Sequence, residues 1–179
     1  NGYLLDQFLQ DSTNKRSDRY GGSLENRARL LLEVTDAVIS VWGPGRVGMH
    51  LAPRADSHDM GDSDLQTTFG YVARELGRRG IAFIMARESL AEPRLGPALK
   101  AAFGGVYIAN EGLKPEAAKE LLANSEADAA AFGKLFIANP DLPERIRLGA
   151  PLNDWRTENF YDGGPAGYTN YPALALAAE

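Results

Sequence analysis

The chain has 179 residues, 19 Lys and Arg against 24 Asp and Glu, and a net charge of −5 at neutral pH with both His uncharged. Apolar residues make up 44% and charged residues 24%, near the globular norm, so wholesale disorder is excluded and one domain can bury a real core. A net negative chain has no electrostatic reason to hold nucleic acid or an anionic membrane, and no apolar run approaches the roughly 20 residues that a bilayer requires. Cys is absent, which removes disulfides, thiolate metal sites and Cys nucleophiles together and fits a cytoplasmic protein. No signal-peptide pattern opens the chain. Asn1 is not preceded by Met and leads straight into an apolar cluster, which reads as a cut rather than a natural start.

The first long periodic segment is 24–41, where Leu24, Ala28, Leu31, Leu32, Ala37 and Val38 recur near helical spacing. Ser23 is its expected cap, and Trp42-Gly43-Pro44-Gly45 stops it. The apolar run 47–53 reads as a strand closed by Pro53. A polar, acidic stretch with His58 follows over 54–63, long enough for a functional loop. Residues 65–79 read as a helix with Phe69, Val72, Ala73 and Leu76 on one face. Strands are then expected at 81–86, 106–109 and 129–132, and helices at 95–103, 115–122 and 141–148. From Asn153 onward the chain is rich in Gly, Pro, Asn and Tyr and reads as ordered loop.

Strand and helix therefore alternate four times, the pattern of an α/β protein with parallel strands and covering helices. No Gly-rich dinucleotide fingerprint follows a strand, which leaves a (β/α) barrel or an open sheet. A full eight-stranded barrel takes about 250 residues, so four units amount to half of one. Chemistry in such barrels sits at the C-terminal ends of the strands. Those ends are His50 to Arg54, Ala86-Arg87-Glu88, Asn110-Glu111-Gly112 and Gly133-Lys134. Gly beside exposed N–H groups and a Lys can seat a phosphate; equally, Gly133 can be a turn and Lys134 a solvated charge. A lone His50 at a strand end is commonly hydrogen-bonded structure, and Arg54 and Arg87 can simply pair with neighbouring acids. One His with scattered carboxylates argues against a metal site. Tyr3, Tyr161, Tyr168 and Tyr171 can all be packing residues; a tyrosine phenol set in a cleft can also act as a general acid.

Several runs carry a family resemblance. Asn1-Gly2-Tyr3-Leu4-Leu5-Asp6-Gln7-Phe8-Leu9 resembles the substrate-binding segment of the old yellow enzyme family, and the run from Ser12 to Arg29 is similar to that family's most distinctive stretch. Ala131-Phe132-Gly133-Lys134 with Ile137 to Leu142 resembles its last barrel strand and following loop. Phe160 to Gly164 and Gly167 to Pro172 resemble its C-terminal tail. The likeness covers nearly the whole chain in order, and within the family it looks nearest to bacterial xenobiotic reductases.

The resemblance implies a (β/α)8 TIM barrel carrying FMN, of which this chain is the C-terminal half, strands five to eight. Residues 1–45 are then the loop and helix after a missing fourth strand, 46–150 the four strand–helix units, and 151–179 a tail lining the active site. The implied reaction uses NADPH or NADH to reduce activated alkenes (α,β-unsaturated carbonyls, nitroalkenes) or nitro and nitrate-ester compounds. Tyr3 is implied as the proton donor. Asn1, with a His that the family places three residues earlier, is implied to hold the substrate oxygen. For the cofactor the resemblance implies Asn110, Glu111, Gly133 and Lys134 at the phosphate, His50 where many relatives place an Arg by the flavin ring, and Tyr161 on the substrate side. Lys134 stands where the family often has Arg, and Arg54 is a second cation that could serve beside the ring. The implied partner is a complementary N-terminal half-barrel, without which the isolated chain is expected to be inactive. Pairing with a second copy of this chain stays open.

Two other functions are weighed. One is a non-catalytic half-barrel that seats a phosphate ligand and self-associates. The other is a different phosphate-binding barrel enzyme, an aldolase or isomerase. The latter needs a Schiff-base Lys or an acid–base set, and no Lys lies within any of the four strands.

Overall fold

The computed structural model describes residues 2–54, 58–90, 92–161 and 164–174. The chain divides into two compact units, residues 1–131 and 132–179.

The first unit holds helices α1 (Leu4–Leu9) and α2 (Leu24–Trp42), strand β1 (Gly48–Leu51), α3 (Leu65–Arg78), β2 (Phe83–Arg87), α4 (Gly96–Phe103), β3 (Val106–Asn110), α5 (Pro115–Ala123) and β4 (Ala129–Ala130). The four strands form one parallel sheet in the order β1-β2-β3-β4. A doubly wound sheet reverses its strand order at a switch point; an unbroken sequential order with right-handed crossovers keeps every helix on one face. That is barrel topology, and the four parallel strands make up about half of a (β/α)8 barrel.

Register decides which side chains meet the helices. Met49, Ile84 and Tyr107 lie side by side, as do Leu51, Ala86 and Ala109. Both rows point to the helix side, because side chains alternate along a strand. Ile84 and Ala86 are fully buried there, with Phe69, Val72, Ala73 and Leu76 of α3 and Leu99 and Phe103 of α4. The opposite face carries Phe83 beside Val106, His50 beside Met85 and Ile108, and Arg87 beside Asn110. These residues are half-buried, and Val106 is 46% exposed. This second face is apolar toward the strand N-termini and polar at the C-termini.

The helix starts follow the side-chain chemistry at their caps. Ser23 Oγ accepts from the Asn26 N–H at 3.4 Å to open α2, and Asp64 Oδ1 accepts from the Thr67 N–H at 3.0 Å to open α3. Pro stands in the first turn of α4 and of α5. Two expectations are corrected. The segment 4–9, read only as part of a motif, is a helix of under two turns with no side-chain cap. The fourth strand is two residues rather than four. Its next rung is taken by a side chain: Asn110 Nδ2 donates to the Ala131 carbonyl at 2.9 Å.

The second unit contains α6 (Lys134–Ala138), α7 (Leu142–Leu148) and a 3-10 turn (Thr157–Asn159). Its tail is ordered by buried polar side chains rather than by ladders. Arg145, 4% exposed, bonds Asp141 at 2.6 Å and donates to the carbonyls of Pro151 and Pro172 at 2.6 and 2.7 Å. The Asn153 N–H donates to Asn139 Oδ1 at 2.7 Å, and the Leu174 N–H to Asp141 Oδ2 at 2.7 Å. The Asp141 carboxyl is held below the usual carboxylate range, first by that backbone N–H and then by Arg145.

Gly77, inside α3, tests the packing of the first unit. Alanine favours a helix by about 1 kcal/mol over glycine. Yet a β-carbon at Gly77 would stand 2.2 Å from the carbonyl oxygen of Phe103 at the end of α4. Gly77→Ala is therefore expected to lower stability by about 1–3 kcal/mol, read as a fall in the urea midpoint.

Candidate functional site

The entry segment is held by buried polar groups. Asp6, 7% exposed, accepts from the Gly2 N–H at 2.8 Å with one oxygen and from Gln10 Nε2 at 2.8 Å with the other. Gly2 has φ +74, and Gln7 Nε2 returns a bond to its carbonyl at 3.0 Å. This clamp fixes the backbone around Tyr3, which stands at the N-terminus of α1 with its side chain 67% exposed. Its ring lies against that of His58, centroids 5.1 Å apart and tilted by 46°. Asn1 lies outside the described residues.

Behind α1, the run from Ser12 to Arg29 is scaffold. Asn14 Nδ2 donates to the carbonyls of Phe8 and Tyr20, and its Oδ1 accepts from the Arg16 N–H. Arg27 donates to the carbonyls of Leu9 at 2.9 Å and Gly22 at 3.0 Å, and reaches Asp62 at 3.6 Å. A β-carbon on Gly21 would strike the Arg16 carbonyl at 2.1 Å, so only glycine lets the chain turn there.

The C-terminal ends of β1, β2 and β3 bring His50, Arg87, Asn110 and Glu111 onto one face of the sheet. Arg87 Nε meets Glu111 Oε2 at 2.6 Å. Glu111 sits at φ +96, a left-handed backbone rare outside glycine, which turns its carboxylate back onto Arg87. Among the described residues, the backbone N–H groups of Glu111 and Gly112 meet no backbone or side-chain acceptor. His50 titrates below its ordinary value, chiefly because burial penalises the imidazolium and further because Arg87 is close.

Arg54 does not serve as the cation beside His50. Its Nε meets both Glu88 oxygens at 2.9 and 3.1 Å, and its Nη2 donates to the Pro93 carbonyl. Glu88 is 6% exposed and also accepts from the Leu95 N–H at 3.1 Å. Burial pushes its carboxyl up, against the pull of Leu95 and Arg54. This pair is a latch between the loops after β1 and β2. Arg87 is a positive charge near His50.

In the second unit, Gly133 precedes α6, and open space surrounds the position of a would-be β-carbon. Lys134 is exposed and has no ion-pair partner among the described residues. Tyr161 is 98% exposed. Tyr168, 60% exposed, and Tyr171 tie their hydroxyls to backbone. The first donates to the Phe160 carbonyl at 3.2 Å; the second accepts from the Arg156 N–H at 2.8 Å beneath that residue's guanidinium.

Residues 1–153 match the family described as NADH:flavin oxidoreductase / NADH oxidase. The chain belongs to this family, which is the old yellow enzyme family. It is 40% identical to 12-oxophytodienoate reductase 2 of Arabidopsis thaliana, over 99% of this chain and 50% of that protein. It is 42% identical to 12-oxophytodienoate reductase 1 of Oryza sativa subsp. japonica, over 97% of this chain and 48% of that one. Among solved structures, morphinone reductase in complex with tetrahydroNAD superposes with a TM-score of 0.90 at 45% identity, over 96% of this chain and 47% of the other. The chain spans about half the length of the relatives it matches. No helix among the described residues is long and apolar enough to cross a membrane.

Sequence reasoning missed Asp6, whose role shows only as an i, i+4 pairing with Gln10 inside a helix too short to recognise. It also left His58 as a poor metal ligand. Among the described residues no group of three or more His, Cys, Asp or Glu is placed to hold a metal ion.

His50 gives a pH prediction. Its folded pKa lies below 6.5, so as pH falls the unfolded chain takes up a proton before the folded chain does. Stability present above the unfolded value is then lost as pH falls through the folded one. His50→Gln is expected to flatten this segment of the pH–stability curve, measured as denaturant midpoints between about pH 7 and pH 5.

Proposed function

We propose that the chain supplies the C-terminal half of an FMN-dependent oxidoreductase that reduces activated alkenes, or nitro and nitrate-ester compounds, with NADPH or NADH. The observation that carries this reading is the second face of the sheet. It is only half-covered in this chain, apolar at one end, and ends at the strand C-termini in His50, Arg87, Asn110 and the backbone of Glu111. A barrel interior is a packed face of this kind with its polar groups at the top. Completing it takes an N-terminal half-barrel, on the same polypeptide or another, and a lone half is proposed to be inactive. The proposed setting is the cytoplasm, which suits a chain without cysteine.

The donors present fit an anionic mononucleotide. The Glu111 carboxylate is turned onto Arg87 and does not oppose a phosphate, while the N–H groups of Glu111 and Gly112 meet no acceptor among the described residues. In the second unit, Lys134 offers a cation and Gly133 an unobstructed backbone. We assign Asn110, Glu111, Gly133 and Lys134 to the phosphate, His50 to the ring and Tyr161 to its substrate side. Asn110 acts by closing the strand end, its side-chain amide being spent on the Ala131 carbonyl. FMN, when bound, supplies the hydride chemistry. Tyr3 holds the proton that the reduced substrate needs, and Asn1 polarises the substrate oxygen where negative charge develops.

Lys134→Ala in the complete flavoprotein is expected to weaken FMN binding about tenfold, read by titration of flavin fluorescence. Tyr3→Phe is expected to slow alkene-dependent reoxidation about a hundredfold while flavin reduction by NADPH keeps its rate. Rapid-mixing absorbance separates the two half-reactions. Equal loss in both makes Tyr3 structural. No flavin uptake by the assembled halves removes the reading altogether and favours the self-associating module.

A further inference from the structure

We propose that His58 is a positioning residue for Tyr3, holding its ring in the orientation from which the phenol delivers its proton. The proposal rests on the reading of Tyr3 as proton donor given above.

The backbone at Tyr3 is clamped through Asp6, but nothing in α1 sets the ring. At 67% exposure on a helix N-terminus, the ring is left to choose among staggered rotamers. His58 supplies the missing wall, its imidazole 5.1 Å from the Tyr3 ring centroid. It comes from the loop between β1 and α3, far along the chain.

That loop is built to hold it. His58 and Asp59 both adopt left-handed backbone, at φ +61 and +56, a conformation that two consecutive side-chain-bearing residues keep only where surroundings enforce it. Bonds to this loop come from the segment that follows α1. Ser12 Oγ donates to the Asp59 carbonyl at 2.9 Å, and the Ser12 N–H to the Gly61 carbonyl at 3.1 Å. The Asp11 N–H donates to Asp62 Oδ2 at 3.2 Å, while Asp11 Oδ1 accepts from the Ser63 N–H at 3.1 Å. Asp62 is anchored in turn by Thr68 of α3 at 2.9 Å. The donor's own segment thus grips the loop that carries its wall. Narrowing the orientations of a reacting group is worth rate because misplacement by about 1 Å costs up to a hundredfold.

The test uses the complete, FMN-loaded protein. His58→Ala is expected to slow alkene-dependent reoxidation about tenfold and leave reduction by NADPH unchanged. His58→Phe, which keeps a ring at the same place, is expected to restore the rate to within about twofold. The second readout needs no turnover: the aromatic resonance of labelled Tyr3, identified with Tyr3→Phe, should shift in His58→Ala and return toward its original position in His58→Phe. An unshifted resonance in His58→Ala, or no rescue by Phe, overturns the positioning role alone. Unchanged reoxidation in Tyr3→Phe overturns the proton-donor reading, and the positioning role with it.

Discussion

A strand in a parallel sheet has two faces, and alternation gives every residue to one or the other without appeal. In the first unit this constraint governs all that follows. The rows Met49–Ile84–Tyr107 and Leu51–Ala86–Ala109 go to the helices, where α3 and α4 bury them. The rows between them must then face the other way, and they include His50, Arg87 and Asn110 near the strand ends. A slip of one residue in a strand's register would place its charges under the helices, where a buried charge costs far more than a half-covered one. The core on one side thus enforces the position of His50, Arg87 and Asn110 on the other.

Two arginines of similar appearance are separated by this geometry. Arg87 belongs to the open face and pairs with Glu111 there. Arg54, beyond the end of β1, is drawn to Glu88, whose carboxylate is almost fully buried and demands a charged partner. One arginine stands near His50; the other holds two loops together. The left-handed backbone at Glu111 belongs to the same arrangement. It turns an acid, unwelcome beside a phosphate, back onto Arg87 and leaves the N–H groups of Glu111 and Gly112 without an acceptor among the described residues.

Much of the fold is legible in the chain. Ser23, Asp64, Pro115 and the apolar spacing of 65–76 mark helices where they occur, and the order of four strand–helix units narrows the architecture to a (β/α) barrel or an open sheet, between which the spatial strand order decides. What was not legible has physical causes. Helix α1 is too short to establish a period. Strand β4 is trimmed by a side chain of β3, so its length depends on a partner 21 positions away. The distinctive run from Ser12 to Arg29 identifies the family, yet Asn14 and Arg27 spend their hydrogen bonds on backbone carbonyls. Its residues support the site by shaping the segment that follows Tyr3.

From the sequence alone come the alternation of strands and helices, the absence of cysteine chemistry, the family, and the residues proposed to act. These are local properties, set by periodicity, capping chemistry and ordered motifs. Which arginine stands beside His50, how Glu111 turns its carboxylate, and that His58 meets Tyr3 were decided only in three dimensions. Each depends on contacts between segments that the chain keeps far apart, and only packing of the sheet and its loops brings such segments within reach of one another.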